Sequence, residues 1–140
     1  MYLASIGERF SSEVTLSKEQ ISEFARICGD TNPFHHDEDY AAKSRFHGII
    51  ASGPHLTSLW MAMVARHFSQ NTAALGLEYG FRFRKAVPAG ETMTMSWEVI
   101  AIEQKASLGG ELVSLEGIVV NREGVEFMTG TGLVLVTPKP

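Results

Sequence analysis

The chain has 140 residues, the size of one ordinary domain. Its fractions of hydrophobic residues (44%) and charged residues (20%) are close to globular averages, which argues against a disordered chain or a coiled coil. A formal net charge of −4 disfavours nucleic acid as a partner, because wrapping it needs a dense basic surface. We expect a single domain over residues 1–140.

The cysteine content and the apolar segments bear on the compartment. Cys28 is the only cysteine, so no intrachain disulfide can form, which suits a reducing compartment. The most apolar windows, 53–65 and 129–136, are too short to span a bilayer. Residues 1–9 lack the basic run and apolar core of a signal peptide. We expect a cytoplasmic protein that has no membrane partner.

The first predicted helix begins at Ser17, which forms a capping box with Gln20. Gly29 ends the helix at a natural C-cap position. Apolar residues at helical spacing form one face: Ile21, Phe24, Ala25 and Cys28. Because Cys28 lies on this face, we expect it in the core and not as a nucleophile.

A loop and two further helices are predicted next. Asp, Asn and Pro in 30–37 are typical of a loop, and 38–43 of a short helical turn. A second strong helix opens at Ser52-Gly53-Pro54, where proline is tolerated at the first helical position. Its apolar residues recur at helical spacing: Leu56, Leu59, Trp60, Met63, Val64 and His67. Its neighbours are weakly polar, so we expect a buried helix wrapped by a larger element.

The second half of the chain reads as strands separated by turns. The predicted strands are 9–14, 75–85, 92–102, 112–120 and 125–136. One side of the third strand is predicted to carry Met93, Met95, Trp97, Val99 and Ala101. Short turns between consecutive strands favour an antiparallel sheet. The predicted class is α+β, with a curved sheet around a long central helix.

Three segments carry a resemblance to a known family. They are Gly29-Asp30-Thr31-Asn32-Pro33-Phe34-His35-x-Asp37, then Tyr40-Ala41, then Phe46-His47-Gly48-Ile49-Ile50-Ala51-Ser52-Gly53. Together they resemble the MaoC-like dehydratases and (R)-specific enoyl-CoA hydratases. The segments Phe81-Arg82-Phe83 and Val87-Pro88-Ala89-Gly90-Glu91 also look like this family. The resemblance implies a single hot-dog domain, in which a mostly antiparallel sheet wraps the long helix.

The resemblance also implies an activity, a hydro-lyase of fatty acid metabolism acting on 2-enoyl or 3-hydroxyacyl thioesters. The family's water-activating Asp and His match Asp30 and His35 by residue type and spacing. Coenzyme A or an acyl-carrier protein would carry the substrate, and no separate cofactor is expected. The family further implies a homodimer or larger homo-oligomer, with the sites near the interface and the acyl chain in a tunnel beside the helix.

The chemistry explains why these residue types are wanted. A carboxylate and an imidazole that share one water can take a proton from it and deliver one to the α-carbon, and the sequence leaves open which group does which. The thioester oxygen needs a donor as charge develops on it. We assign the Gly53 N–H, because helix N-terminal amides lack intrahelical partners and glycine permits close approach. The predicted substrate-binding residues are Asn32, His47, Gly48, Ser52 and His55.

For several of these residues a structural role competes with the functional one. Asn32 is expected to pin the loop through backbone hydrogen bonds, Ser52 to cap the helix, and His36 to be a bystander. For His55, a structural hydrogen bond is an equal alternative to lining the site. No metal is expected, since the histidines show no zinc-type spacing. Arg82, Arg84 and Lys85 form either a solvated strand face or a phosphate contact.

Two other functions compete with the hydro-lyase. An acyl-CoA thioesterase of the same fold needs only one carboxylate to position water, so His35 would be dispensable. A non-catalytic acyl-thioester-binding protein would bind acyl-CoA without turnover. A transcription regulator is disfavoured, because no residues remain for a separate DNA-binding domain.

Overall fold

A computed structural model describes residues 3–140, so residues 1 and 2 of the predicted domain lie outside the described residues. The helices and strands, in chain order, are β1 (Arg9–Thr15), α1 (Lys18–Cys28), α2 (Glu38–Lys43), α3 (Gly53–Phe68), β2 (Ala73–Phe83), β3 (Thr92–Lys105), β4 (Gly110–Asn121) and β5 (Glu126–Thr137). Two single 3₁₀ turns, Pro33–His35 and Ala106–Leu108, complete the set. Every predicted helix and strand is present.

The five strands form one antiparallel sheet in the spatial order β1-β3-β4-β5-β2. The sheet curves around α3, which confirms the predicted α+β hot-dog architecture. β2 follows α3 in the chain but pairs only with β5, the last strand. Consequently β1 and β2 are the two edges of the sheet.

Trp60 fixes the central helix against the sheet. Its indole is fully buried and stacks on Trp97 with 4.4 Å between ring centres. The Trp60 Nε1–H donates to the carbonyl of Ser96 at 3.2 Å, and the Trp97 Nε1–H donates to the carbonyl of Trp60 at 3.0 Å. A Cβ at Gly117 would lie 2.6 Å from the Trp60 ring. Strand β4 therefore needs glycine at this position to leave space for the indole.

The ends of α1 match the sequence pattern. The side chains of Ser17 and Gln20 each accept a hydrogen bond from the other's backbone N–H, and Gly29 adopts a φ of 74°. Ile21 and Ala25 are buried, but Cys28 is exposed, so its predicted core position was wrong. The buried face ends at Ala25, because Gly29 turns the chain back within one residue of Cys28.

The predicted inward face of β3 is correct for four of its five residues. Met93, Met95, Trp97 and Val99 are buried. Ala101 is exposed, contrary to the prediction, because the β3–β4 register shifts between Val99 and Ala101. Such an irregularity reverses the alternation of side chains that a strictly regular strand would keep.

Glu111 is a buried carboxylate that holds the start of the chain. Only 1% of Glu111 is exposed, and its Oε1 accepts from the backbone N–H groups of Leu3 and Ala4 at 2.9 and 3.0 Å. Its Oε2 accepts from the Gln104 side chain at 2.7 Å. The carboxylate therefore joins the N-terminal segment to β3 and β4.

We expect Glu111→Ala to lower the free energy of unfolding by about 1–3 kcal/mol, because it leaves buried amide donors unsatisfied. Urea unfolding followed by circular dichroism measures the change. Glu116→Ala, on the same strand but exposed, is the control and should change stability by about 0.5 kcal/mol or less. Equal effects of the two substitutions would contradict the anchoring role.

Within residues 3–140, none of the helices is long and apolar enough to cross a bilayer.

Candidate active site

The turn after α1 places Asp30 in a partly buried position. The Asp30 N–H donates to the carbonyl of Ala25 at 2.8 Å, which follows from the left-handed conformation of Gly29. The Asp30 Oδ1 accepts from the Asn32 N–H at 3.0 Å, and the Asn32 Oδ1 accepts from the Phe34 N–H at 3.2 Å. Asn32 thus caps the turn that carries His35, as its pinning role predicted.

His35 faces Asp30 across a short gap. The imidazole is only 6% exposed, and its Nδ1–H donates to the carbonyl of Ile50 at 2.7 Å. Its Nε2 lies 3.5 Å from the Asp30 Oδ2. In the neutral form of the ring with the proton on Nδ1, Nε2 presents a lone pair to the carboxylate. The two groups are thus close without forming a hydrogen bond of ordinary length.

His36 takes part in the site's support, although sequence reasoning left it as a bystander. Its Nε2 donates to the carbonyl of Asp30 at 2.7 Å, and its Nδ1 accepts from the Ser22 hydroxyl at 2.7 Å. The imidazole therefore ties the backbone of Asp30 to α1. Only the pairing with Ser22, 14 residues earlier in the chain, could have indicated this role.

A short ladder holds the carbonyl that orients His35. The Ile50 N–H donates to the carbonyl of Phe34 at 3.2 Å, and the Ala51 N–H donates to the carbonyl of Val87 at 2.9 Å. The Ala89 N–H donates to the carbonyl of Ile49 at 2.9 Å. Residues 49–51 therefore run antiparallel to 87–89, and the bond from His35 to Ile50 is anchored on both sides.

The start of α3 lies beside this ladder. Ser52 is buried and caps the helix, with its Oγ accepting from the His55 N–H at 3.3 Å. At Gly53, a Cβ would meet the Phe83 ring at 3.1 Å, so Phe83 fills the space that this glycine leaves. At Gly48, a Cβ would meet no atom within 4 Å. His47 is exposed and has a φ of 59°.

His55 is a second buried imidazole in this region. It is 5% exposed and stacks face to face on Phe24, with 4.3 Å between ring centres. Its buried Nδ1 has no hydrogen-bond partner among residues 3–140. Burial, and then the nearby His35, lower the pKa of His55 from its ordinary value. His55 is therefore a neutral polar group beside the Asp30–His35 pair.

This lowered pKa gives an expected pH dependence. Above about pH 6.5 the ring is neutral in both folded and unfolded chains, but at lower pH the unfolded chain gains a proton that the folded chain resists. Stability attributable to His55 should therefore be complete above about pH 6.5 and fall below it. Urea unfolding at several pH values should show a shallower acid-side loss for His55→Gln. The same slope for both proteins would contradict the neutral buried ring.

The depression that includes His35 lacks the mainly apolar lining expected of a surface that binds an acyl chain. Its volume is about 460 Å³, and most of its lining is polar or charged: Lys18, Glu19, Ser22, Glu23, Arg26, His35, His36, Glu38 and Ile49. Within the part of the chain that the structure describes, no three His, Cys, Asp or Glu side chains are grouped to hold a metal ion.

Fold and site together define a hot-dog protein with a carboxylate–imidazole pair, in which the imidazole is buried and the carboxylate is partly exposed. A profile of the MaoC-like domain matches residues 4–118, and the chain belongs to this family. The (R)-specific enoyl-CoA hydratase of Rhodospirillum rubrum is 30% identical over 96 residues. The mitochondrial 3-hydroxyacyl-[acyl-carrier-protein] dehydratase of Arabidopsis thaliana is 24% identical over 102 residues.

These matches cover 69% and 73% of this chain, but 66% and 60% of the two relatives. Among solved structures, the (R)-hydratase from A. caviae involved in PHA biosynthesis superposes with a TM-score of 0.85 at 22% identity. That superposition covers 96% of this chain and 98% of the other. It establishes the hot-dog fold.

Proposed function

We propose that this chain is a hydro-lyase that adds water to a 2-enoyl thioester or removes it from a 3-hydroxyacyl thioester. The observation that carries this proposal is the 3.5 Å approach of the buried His35 Nε2 to the partly exposed Asp30 Oδ2. The names of the curated relatives support the same reaction class. Similarity to the (R)-specific enoyl-CoA hydratase favours the (R)-3-hydroxyacyl thioester as the product of this chain.

The pair suits one shared water. The His35 Nε2 and the Asp30 Oδ2 both accept hydrogen bonds, so a water between them donates one hydrogen to each. This arrangement leaves an oxygen lone pair free to attack the β-carbon. As the C–O bond forms, one O–H bond breaks and its proton passes to the pair.

The second half of the reaction returns a proton to substrate. The π electrons of the double bond move towards the thioester oxygen, and the α-carbon then takes a proton from the pair. Asp30 and His35 end in their starting protonation states, with either group as the base. The Gly53 N–H is the donor to the developing oxyanion.

We assign supporting roles to the remaining predicted residues. His55 lies beside His35 and lines the site as a neutral group. Asn32 and Ser52 act by holding the turn and the helix start, while His47 and Gly48 shape the adjoining corner. Coenzyme A or an acyl-carrier protein carries the acyl group, no separate cofactor takes part, and the enzyme works in the cytoplasm as a single domain.

The two sheet edges support a homodimer. β1 exposes polar side chains at Arg9, Ser11, Glu13 and Thr15, which protect an edge from pairing. β2 instead exposes Leu75 at 62%, together with Leu77 and Phe83. Two copies that join along β2 would cover this apolar edge by one two-fold contact. We place the acyl tunnel between the two copies, because the depression at His35 within one copy is lined mostly by polar and charged residues.

We expect the wild-type protein to elute with twice the mass of one chain in size exclusion with light scattering. Leu75→Lys should shift it towards the monomer, because the charge would be buried in the contact. Ser11→Lys, on the opposite edge, is the matched control and should leave the mass unchanged. A monomeric wild type, or the same shift with both substitutions, would contradict dimerisation along β2.

The reaction itself is tested by the ultraviolet absorbance of short and medium trans-2-enoyl-CoA thioesters. A hydro-lyase removes the conjugated absorbance and releases no thiol, which a thiol reagent checks in parallel. Thiol release without loss of the double bond would instead identify a thioesterase. Binding of acyl-CoA without either signal would identify a non-catalytic binding protein.

A further inference from the structure

A second depression, lined in part by Ile50, concentrates positive charge. Its volume is about 390 Å³. Three of its seven lining residues are cationic, and the full lining is Arg45, Phe46, Ile50, Arg84, Lys85, Ala86 and Pro88. In contrast to the depression at His35, its lining contains no carboxylate. We call it the basic pocket.

The three cations of the basic pocket, Arg45, Arg84 and Lys85, form no ion pairs within 4 Å with carboxylates of residues 3–140. Arg45 is positioned by its neighbour, with its Cζ 4.9 Å from the centre of the Phe46 ring. Like charges gathered in one concave site repel one another unless an anion joins them, so the pocket is set up for an anionic ligand.

The neighbouring Arg82 does not share this environment. It lines a different depression, whose lining also includes Glu116 and Arg84. An acidic group therefore accompanies the cations on that face. Arg84 lines both depressions, but of the two only the basic pocket combines arginine and lysine side chains without a carboxylate.

The basic pocket is mechanically joined to the Asp30–His35 pair. Ile50 lines the pocket, and its carbonyl accepts the Nδ1–H of His35. Pro88, also in the lining, pairs with Ile50 in the short ladder beside the site. Phe46 packs edge-on against Phe34, the residue before His35, with 5.4 Å between ring centres. An anion held in the pocket is thus placed at a fixed position relative to the reacting water.

We propose that the basic pocket binds a phosphate group of the thioester's carrier. This inference rests on the proposed function, because the pantetheine arm is what would link an acyl group at Asp30 and His35 to a phosphate. Arginine guanidinium groups bind phosphate oxygens through paired N–H donors, and lysine adds a point charge. Phosphate binding in the pocket then increases the affinity for the carrier and fixes its position, while Asp30 and His35 carry out the reaction.

Two carriers share this phosphate chemistry. Coenzyme A has the phosphate of the pantetheine arm and the further phosphates of its nucleotide. An acyl-carrier protein presents the pantetheine phosphate alone. The same enoyl group is therefore tested on three carriers: coenzyme A, 4′-phosphopantetheine and N-acetylcysteamine. Their comparison shows which phosphate the pocket binds, because N-acetylcysteamine has none.

The test measures steady-state hydration of these three thioesters by wild type and by Arg45→Gln, Arg84→Gln and Lys85→Gln. We expect each substitution to raise KM for the coenzyme A thioester about fivefold with kcat unchanged, as for a partly exposed charge pair. Hydration of the N-acetylcysteamine thioester should be unaffected. Arg66→Gln, in the last turn of α3, is the matched control and should behave as wild type.

An equal effect on the coenzyme A and phosphopantetheine thioesters would assign the pocket to the pantetheine phosphate, and an effect on coenzyme A alone to the nucleotide phosphates. Unchanged KM in all three variants, or equal losses with N-acetylcysteamine, would overturn the inference. Calorimetric titration with coenzyme A itself keeps the two claims separate. Binding that the substitutions weaken, without turnover of any thioester, would support the pocket while the proposed function failed.

Discussion

Asp30→Asn and His35→Asn are each expected to lower kcat/KM for hydration by about 10³-fold, the usual scale for loss of a positioned acid or base. Asparagine keeps the size of Asp30 but removes the charge that accepts from the shared water. In place of His35, it removes the Nε2 lone pair that faces Asp30. The decay of enoyl-thioester absorbance gives both rates.

Asp37→Asn is the matched control for the carboxylate. Asp37 lies in the same segment, is exposed, and caps α2 by accepting from the Tyr40 N–H, which asparagine can also do. Its activity should stay within about twofold of wild type. Full activity of His35→Asn with loss in Asp30→Asn would instead favour single-carboxylate chemistry of the thioesterase kind.

Trp60→Ala is expected to produce the largest loss of stability, about 3–5 kcal/mol of unfolding free energy. It removes an indole that fills the space above Gly117 and Gly130 and stacks on Trp97. It also leaves the Ser96 carbonyl without its donor. Since whole domains are stable by about 5–15 kcal/mol, this loss approaches the total.

Urea unfolding provides the measurement, and Trp60→Phe keeps it possible if the alanine variant does not fold. Phenylalanine should give a smaller loss, because it retains ring packing but not the hydrogen bond to Ser96. Met61→Ala, the next residue on α3 but exposed, should change stability by about 0.5 kcal/mol or less. Equal losses for Trp60→Ala and Met61→Ala would contradict the central role of the indole.

The local elements were predictable because their signals are short in range. The capping pair Ser17–Gln20 and the left-handed Gly29 lie within or beside α1, and each acts on its own helix end. Ser52 and Pro54 likewise mark the start of α3. The approach of His35 to Asp30 was also predictable, because one stiff loop of five residues carries both side chains.

Features that depend on contacts between distant parts of the chain could not be predicted from the sequence. The pairing of β2 with β5 depends on how the sheet closes around α3, which no local pattern encodes. The same holds for the Ile50 carbonyl that orients His35, because a backbone acceptor has no residue signature. The stacking of His55 on Phe24 joins α1 to α3, and only their packing determines it. The exposure of Cys28 shows that an apolar helical face can extend past its packed region.

The central claim is that Asp30 and His35 act on one water as a unit. The most direct measurement is kcat/KM for hydration by Asp30→Asn, by His35→Asn and by the double variant. Residues that act together are strongly non-additive, so the double variant should be about as slow as either single variant. A loss in the double variant equal to the product of the two single losses would show independent roles and contradict the account.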